Sequence, residues 1–292
     1  MITLKWQHLQ GSLRSFEELS VKAQETMNRN IIKALYRLHL LEKVIVTGHK
    51  HGTTVPIVQG VGYGNMFGSE PWMKELLTKL LPDFPGTFID VGANVGQTLI
   101  KVREVSQVDY IGFEPNPICN SYLAELIKRN GYTNCRIIPV GLADKTQLFP
   151  LQFYVETSTD SGASIIPDFR SHLTPKRIEY VPCFAWDDLN LETGHIGIVK
   201  IDVEGAELEV IEGMSAIIKR DRPAILMEIL PDATLPEKVR RQRLIEKFFL
   251  DINYECLLIV KDEAKFISLA PVVEINNYDD ENAADYVFLP KK

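Results

Sequence analysis

The first part of the chain carries apolar residues at helical spacing. Between Ser15 and Ile45 they recur three or four residues apart, on one face of a helix. Ser15 and Glu18 have the spacing of a capping box, which satisfies free backbone donors where a helix begins. A glycine-rich segment, GVGYGNMFG (60–68), follows, and then a short helix, EPWMKELLTKLL (70–81). Residues 1–80 are therefore predicted to be a helical extension, whose glycine-rich segment is either a lid or an irregular connection.

From Thr87 onward, short apolar runs alternate with amphipathic helical segments. The runs TFIDV, DYIGFEP, CRIIPVG, IGIVKIDVEG and PAILMEI are predicted strands, and YECLLIVK and DYVFLP a final antiparallel pair. Residues 146–186 interrupt the alternation with extra strands. The pattern predicts an α/β domain over 81–292, with a mostly parallel, Rossmann-like sheet between two layers of helices and a β insertion at 146–186.

Parallel sheets of this kind bind ligands at the carboxyl ends of their strands, where the strand order reverses. The predicted strands close at Asp90, Glu114, Gly141, Asp202 and Glu228. The binding site is therefore expected at these positions.

The first of these turns, FIDVGANVGQT (88–98), does not fit a dinucleotide site. The pattern GxGxxG, counted from Gly92, requires glycines where the chain has Asn94 and Gln97. Asp90 would also oppose a pyrophosphate, whereas it would attract the sulfonium and amino groups of S-adenosylmethionine. This cofactor is therefore predicted, with a nicotinamide-dependent oxidoreductase as the alternative.

The predicted cofactor residues follow from the same turns. Gly92 and Gly96 would let the backbone approach the ligand, and Glu114 would accept both ribose hydroxyls. Asp144 would accept from the adenine amino group, beside the backbone amides of the preceding residues. The complete predicted set is Asp90, Gly92, Asn94, Val95, Gly96, Glu114, Pro115, Leu142, Ala143, Asp144 and Asp202.

Four motifs, FIDVGANVG, GFEPNP, VGLAD and IVKIDVEGAELEVIEGM, occur in an order and at separations that resemble those of FkbM-type methyltransferases. The resemblance covers about residues 70–290. It implies a class I, S-adenosylmethionine-dependent enzyme with a seven-stranded sheet whose last strand is antiparallel. It also implies O-methylation of a hydroxyl on a sugar, a glycan or a secondary metabolite. The expected partner is thus a small-molecule or carbohydrate acceptor.

Three carboxylates near the strand ends are candidate catalytic groups. A hydroxyl acceptor benefits from a base that removes its proton, and Asp202, Glu204 and Glu228 lie where such a base is needed. Asp202 or Glu204 could instead cap the next helix, and Lys200 is expected to pair with a carboxylate. A divalent ion on Asp202 and Glu204 is conceivable, but metal-free catalysis is the prediction. A noncatalytic module that binds the same cofactor would not need these acids.

Composition narrows the classes of partner. The net charge of −7 disfavours nonspecific nucleic-acid binding. Residues 1–55, in contrast, carry an excess of four positive charges, either a solvated helical face or a site for an acidic partner or membrane surface. The four cysteines form no CxxC pair, and no apolar run has the length of a membrane helix. A cytoplasmic protein without an integral membrane segment is expected.

Overall fold

The computed structural model describes residues 29–41, 45–68, 70–167, 169–170, 172–230, 236–262, 265–275 and 283–291. The predicted capping box at Ser15 and Glu18 lies outside these ranges, as does most of the first predicted helix. Within them, residues 29–37 form helix α1, and the chain turns at residues 38 and 39. The helical prediction is therefore too long at its carboxyl end.

Residues 45–58 form a β-hairpin, which the helical pattern missed. Strand β1 (Ile45–Lys50) pairs with the antiparallel strand β2 (Thr53–Val58). The loop has only two residues, His51 and Gly52, with φ of 48° and 81°. Two left-handed residues give the tight loop that matches the twist of paired strands. The turn potential of the His-Gly pair therefore outweighed the helical spacing before it.

The glycine-rich segment is held against the rest of the protein. Residues Tyr63–Met66 form a 3₁₀ turn, and the next helix is α2 (Trp72–Asp83). Asn65 Nδ2 in the turn donates to the Val95 carbonyl at 2.7 Å, and Asn65 is almost fully buried. This anchoring favours the irregular connection over the lid.

The other elements follow the predicted alternation. In chain order they are β3 (Thr87–Val91), α3 (Gln97–Val105), β4 (Tyr110–Phe113), α4 (Pro117–Asn130), β5 (Cys135–Ile138), β6 (Gly141–Leu142), β7 (Gln147–Phe153), β8 (Arg177–Phe184), β9 (Ile196–Ile201), α5 (Glu207–Gly213), α6 (Ser215–Asp221), β10 (Ala224–Glu228), α7 (Pro236–Asp251), β11 (Tyr254–Lys261), β12 (Phe266–Pro271) and β13 (Asp285–Pro290). A short 3₁₀ turn, Trp186–Leu189, precedes β9.

The main sheet has the Rossmann-like order that the sequence predicts. Its strands lie in the order β12-β11-β13-β10-β9-β3-β4-β5. The five strands from β10 to β5 are parallel, and β13 runs antiparallel between β10 and β11. The sheet has eight strands rather than seven, because β12 adds to the free edge of β11. The strand order reverses between β3 and β9, which defines the switch point.

Helices cover both faces of this sheet. One apolar cluster joins the inward side chains of α2, α3 and α4 to alternate strand residues such as Phe88 and Tyr110. The other joins α5, α6 and α7 to the intervening strand residues, among them Ile89 and Val91. Successive strand residues point to opposite faces, so both faces of β3 are buried. The three-layer α/β/α arrangement is confirmed.

The insertion forms a small sheet of its own, with strand order β6-β8-β7. β7 and β8 are antiparallel, and β6 pairs with the end of β8. Gly141 was expected to end the third strand of the main sheet, but that strand ends at Ile138. Gly141 belongs to the insertion sheet instead because its backbone pairs with Cys183.

Candidate active site

A cavity opens at the carboxyl ends of the parallel strands, where the strand order reverses. Its wall includes the turns after β3, β4, β9 and β10 and part of the insertion. Eight of the predicted site residues line it: Gly92, Asn94, Glu114, Pro115, Leu142, Asp202, Glu204 and Glu228. Five others lie outside its lining: Asp90, Val95, Gly96, Ala143 and Asp144. The expectation that ligands bind at the carboxyl ends of the strands thus predicted where the cavity lies, but it did not predict every residue that lines it.

Asp90 is fully buried beneath the cavity and contacts protein groups. The Tyr110 hydroxyl donates to its Oδ2 atom, and Lys200 Nζ lies 3.8 Å from its Oδ1 atom. Lys200 also donates to Asp202 Oδ2 at 2.9 Å. The predicted direct contact between Asp90 and the cofactor does not fit this placement. Asp90 instead helps to hold Lys200, which in turn holds Asp202.

The two turn glycines are required by packing of the protein against itself. Gly92 has φ of 86°, and a Cβ atom there would lie 1.8 Å from the Asp202 carbonyl oxygen. At Gly96, with φ of 77°, a Cβ atom would lie 2.8 Å from the side chains of Leu123 and Leu126 in α4. Packing therefore requires glycine at both positions, and the close approach of the ligand to this turn stays a prediction.

We expect Gly92→Ala to lower the free energy of unfolding by about 3 kcal/mol or more, because a left-handed φ and a backbone clash both oppose the new methyl group. Urea denaturation measures this change. Gly131→Ala is the matched control, since Gly131 ends α4 with φ of 63° and has open space around its Cβ position. The control should lose only about 1–2 kcal/mol. Equal losses in the two variants would contradict the clash.

Glu114 is held in a fixed orientation at the cavity wall. Its Oε2 atom accepts a hydrogen bond from the backbone N–H of Asn94 at 2.8 Å, and its Oε1 atom accepts one from the backbone N–H of Asn116 at 2.7 Å. Burial raises the pKa of Glu114 to about 7, although the two amides oppose this shift. A carboxylate has about four lone-pair sites, so Glu114 retains capacity for two more donors. It can therefore accept hydrogen bonds from a pair of hydroxyl groups.

The turn after β6 offers fewer polar groups than predicted. The Ala143 amide donates to the Phe184 carbonyl at 2.9 Å, because β6 continues along β8. Asp144 pairs with Lys145 at 3.2 Å and does not line the cavity. Neither residue lines the cavity, and contact of either with the cofactor stays a prediction. Leu142 does line the cavity and provides an apolar wall.

The three candidate catalytic carboxylates come together. Oxygen atoms of Asp202, Glu204 and Glu228 lie within 4.8 Å of one another. Neither Asp202 nor Glu204 caps α5, because the Gly205 amide donates to Glu207 Oε1 at 2.9 Å instead. Such a group of oxygen ligands also suits a hard divalent cation. The geometry therefore favours a role in the cavity over the helix-capping alternative.

These three carboxyl groups differ in protonation. Burial, and then the charge of Asp202, raises the pKa of Glu228 to about 9. Burial acts to raise the pKa of Asp202 as well, but the Lys200 ammonium lowers it below its usual value. Burial raises the pKa of Glu204 to about 7, again with a contribution from Asp202. Near neutral pH, Asp202 is thus ionised, Glu228 is protonated and Glu204 titrates.

Sequence reasoning missed several residues of the site, and two of them contact its acidic groups or its neighbouring cations. Arg170, from the insertion, donates to Glu204 Oε2 at 2.6 Å. Glu70, which precedes α2, lines the cavity and accepts from Lys101 at 2.7 Å. Glu204 also has φ of 53°, an uncommon conformation for a residue with a side chain. Only tertiary folding brings Arg170 to Glu204, so no local spacing could reveal the pair.

The cavity is rich in acidic residues. Among the described residues that line it, six carry carboxyl groups, of which Glu228 is protonated near neutral pH, and one is a lysine, Lys200. The six acidic residues are Glu70, Glu114, Asp160, Asp202, Glu204 and Glu228. The switch-point cavity, the sheet order and the carboxylate after the second parallel strand together define the Rossmann-like class of nucleoside-binding enzymes.

The comparisons with known proteins identify the family. The model of the Methyltransferase FkbM domain matches residues 90–254, which is more than half of the chain. The chain therefore belongs to the FkbM methyltransferase family. It is an S-adenosylmethionine-dependent methyltransferase, as the resemblance implied.

The chain is also similar to individual methyltransferases. It is 24% identical over 218 residues to methyltransferase sdnD of Sordaria araneosa, a match that covers 64% of this chain and 78% of that protein. A solved structure of methyltransferase FkbM from Methylobacillus flagellatus is 15% identical, with a TM-score of 0.44. That match covers 70% of this chain but only 43% of the solved chain, so this chain spans less than half of its length.

Within the described residues, none of the helices combines the length and the apolar character that crossing a membrane requires.

Proposed function

We propose that the protein is an O-methyltransferase that modifies a hydroxyl group of a small molecule or carbohydrate. A sugar, a glycan or a secondary metabolite is the proposed acceptor. The observation that carries this proposal is the meeting of Asp202, Glu204 and Glu228 in one cavity with Glu114. A hydroxyl needs a base near the methyl donor, and these acids supply one.

The residues of the cavity fit S-adenosylmethionine. The amide-held carboxylate of Glu114 suits the two ribose hydroxyls. The acidic lining attracts the sulfonium and amino groups of this cofactor, whereas it would repel the phosphates of a dinucleotide. The same charge argues against the nicotinamide-dependent alternative. When bound, S-adenosylmethionine supplies an activated methyl group, and the protein's main task is alignment.

Glu204 is the proposed general base. Its pKa of about 7 lies near a neutral working pH, where a base is most effective. Arg170 holds one oxygen of Glu204 at 2.6 Å and so fixes the direction of the side chain. Asp202 keeps its negative charge in the cavity, and Glu228 retains a proton that it shares with Asp202 in a hydrogen bond. The proton of the acceptor hydroxyl would therefore move to Glu204.

This proposal predicts a pH dependence. Ionised Glu204 is the reactive form, so kcat/KM should rise as the pH increases through about 7. Glu204→Gln should remove this rise and lower kcat on the order of 100-fold. The measurement is transfer of a labelled methyl group to a panel of glycans and hydroxylated small molecules, with analysis of the methylated atom in the product.

Glu192→Gln is the control, because Glu192 is exposed and outside the cavity. It should behave like the wild type at every pH. Retention of the pH-dependent rise in Glu204→Gln would show that another group is the base. Methylation at nitrogen or carbon alone would contradict the O-methyltransferase assignment.

A further inference from the structure

A second cavity, here called the basic cavity, adjoins the acidic one. It lies between the turn of the β1–β2 hairpin, the segment before α2, and α3. The residues that matter for its chemistry are Lys50, His51, Lys74, Gln97, Lys101 and Glu104. Gln97, the first residue of α3, lines both cavities. A ligand could therefore extend from one cavity into the other past this residue.

The charge of this region is opposite to that of the acidic cavity. Three lysines line it, and two more cations, Arg29 and Lys33, lie over the Phe67 ring in its wall, at 5.4 and 5.3 Å from the ring centroid. Within the described ranges, the acidic counterparts in this group are Glu104 in the lining and Glu70 beside it. Five cations against two carboxylates leave an excess of three positive charges. The region therefore favours an anionic ligand.

Lys50 is the cation that protein groups leave unneutralised. Lys74 pairs with Glu104 at 3.0 Å, and Lys101 pairs with Glu70 at 2.7 Å. The side chain of Lys50 forms no ion pair or hydrogen bond with the part of the chain that the structure describes, although its backbone pairs with Thr53 in the hairpin. It is half-buried, and burial lowers its pKa together with the nearby cations, against the opposing charge of Glu104. A buried ammonium without a partner is costly, and an anionic ligand would relieve that cost.

The basic cavity lies at the end of the acidic cavity where methyl transfer is proposed. Glu70 connects the two, since it pairs with Lys101 and lines the acidic cavity. Glu70 also borders a small recess together with Asp202 and Glu228. Glu114, the proposed ribose residue, does not line this recess. A group held by Lys50 would therefore belong to the acceptor rather than to the adenosine of the cofactor.

We propose that the basic cavity binds a phosphoryl group of the methyl acceptor, with Lys50 as its principal partner. This inference rests on the proposed O-methyltransferase function and narrows its acceptor to a phosphorylated hydroxyl compound. The cations of this region outnumber its carboxylates even after the two ion pairs are counted, and such an excess suits a dianion better than a singly charged carboxylate. Each cavity then binds a ligand of opposite charge. The acidic cavity binds the cationic cofactor, and the basic cavity binds the anionic group of the acceptor.

The test is calorimetric titration of the full-length protein with inorganic phosphate in a phosphate-free buffer. Acetate is titrated in parallel at the same ionic strength. The wild type should bind phosphate saturably, and at least about 10-fold more tightly than acetate, because the cavity holds several cations. Lys50→Gln should weaken phosphate binding by about 10-fold or more, and Lys50→Arg should retain it. Lys219→Gln, at an exposed position on α6, is the matched control and should match the wild type.

The titration of the wild-type protein already tests the proposal by itself. If phosphate does not bind saturably to the wild type, the proposal is overturned. Equal affinities for phosphate and acetate would overturn the phosphoryl assignment, as would unchanged phosphate affinity in Lys50→Gln. A parallel titration with S-adenosylhomocysteine separates this inference from the function on which it rests. Its affinity should be the same in all four proteins. Failure of that ligand to bind the wild type would count against the proposed function, whatever the phosphate result.

Discussion

Asp202→Asn is expected to lower kcat on the order of 100- to 1,000-fold, the usual effect of removing one preorganised electrostatic group. Lys200 lies 2.9 Å from Asp202 and keeps it ionised against the effect of burial. The amide would preserve the shape of the side chain and remove its charge. It would also leave Glu204 and Glu228 without the neighbouring anion that helps to raise their pKa values. Labelled methyl transfer at saturating cofactor measures the loss.

The control for this variant is Asp187→Asn, an exposed position in the 3₁₀ turn before β9. It should retain wild-type kcat. Thermal melting of both variants shows whether the loss of the Lys200–Asp202 pair affects the fold. A folded Asp202→Asn protein with kcat within threefold of the wild type would rule out a catalytic part for this carboxylate.

Glu114→Ala should weaken the binding of S-adenosylhomocysteine on the order of 100-fold, because two hydrogen bonds to a charged acceptor are lost. The variant also leaves the amides of Asn94 and Asn116 without their acceptor. We therefore also expect the free energy of unfolding to fall, by about 1–3 kcal/mol. Calorimetric titration gives the affinity, and urea denaturation gives the stability.

Glu75→Ala, at an exposed position in α2, is the matched control and should change neither quantity. Unchanged affinity in a folded Glu114→Ala protein would show that the ribose assignment is wrong. Loss of affinity accompanied by unfolding would leave Glu114 as a structural residue. The two measurements on the same variant therefore separate binding from folding.

The order of strands and helices, and the end of the sheet that carries the cavity, were predictable from the sequence. Both depend on local sequence pattern. The run TFIDV has the composition of a buried strand, and Asp202 and Glu228 lie at the ends of parallel strands, whose carboxyl ends share one edge of the sheet. The sequence alone also shows that Asn94 and Gln97 break the GxGxxG pattern of dinucleotide sites. These features require no knowledge of which side chains meet across the fold.

The roles of individual residues were harder to predict because they depend on tertiary neighbours. Asp90 lies in the expected strand, but it is fully buried, Tyr110 donates to its Oδ2 atom, and the Lys200 ammonium lies 3.8 Å from its Oδ1 atom. Gly92 lies against the Asp202 carbonyl, a packing constraint that the local sequence does not show. The Ala143 amide is occupied by a strand of the insertion. In each case a distant segment of the chain supplies the partner.

The basic amino-terminal part illustrates the same limit. Its excess of positive charge is visible in the sequence, and a solvated helical face was one interpretation. Most of that predicted helical face lies outside the described residues, but the fold brings Lys50 from a hairpin to a cavity that Lys101 of α3 also lines. The hairpin depends on the two-residue loop at His51 and Gly52, which the helical spacing concealed. The charge was thus predictable, whereas its convergence beside the acidic cavity was not.

A crystal structure of the complex with S-adenosylhomocysteine tests the central claim most directly. The account predicts that the ligand lies in the acidic cavity, with its ribose hydroxyls on the Glu114 carboxylate and its sulfur facing the side of Asp202, Glu204 and Glu228. A ligand bound outside this cavity, or one whose ribose faces away from Glu114, would contradict the account.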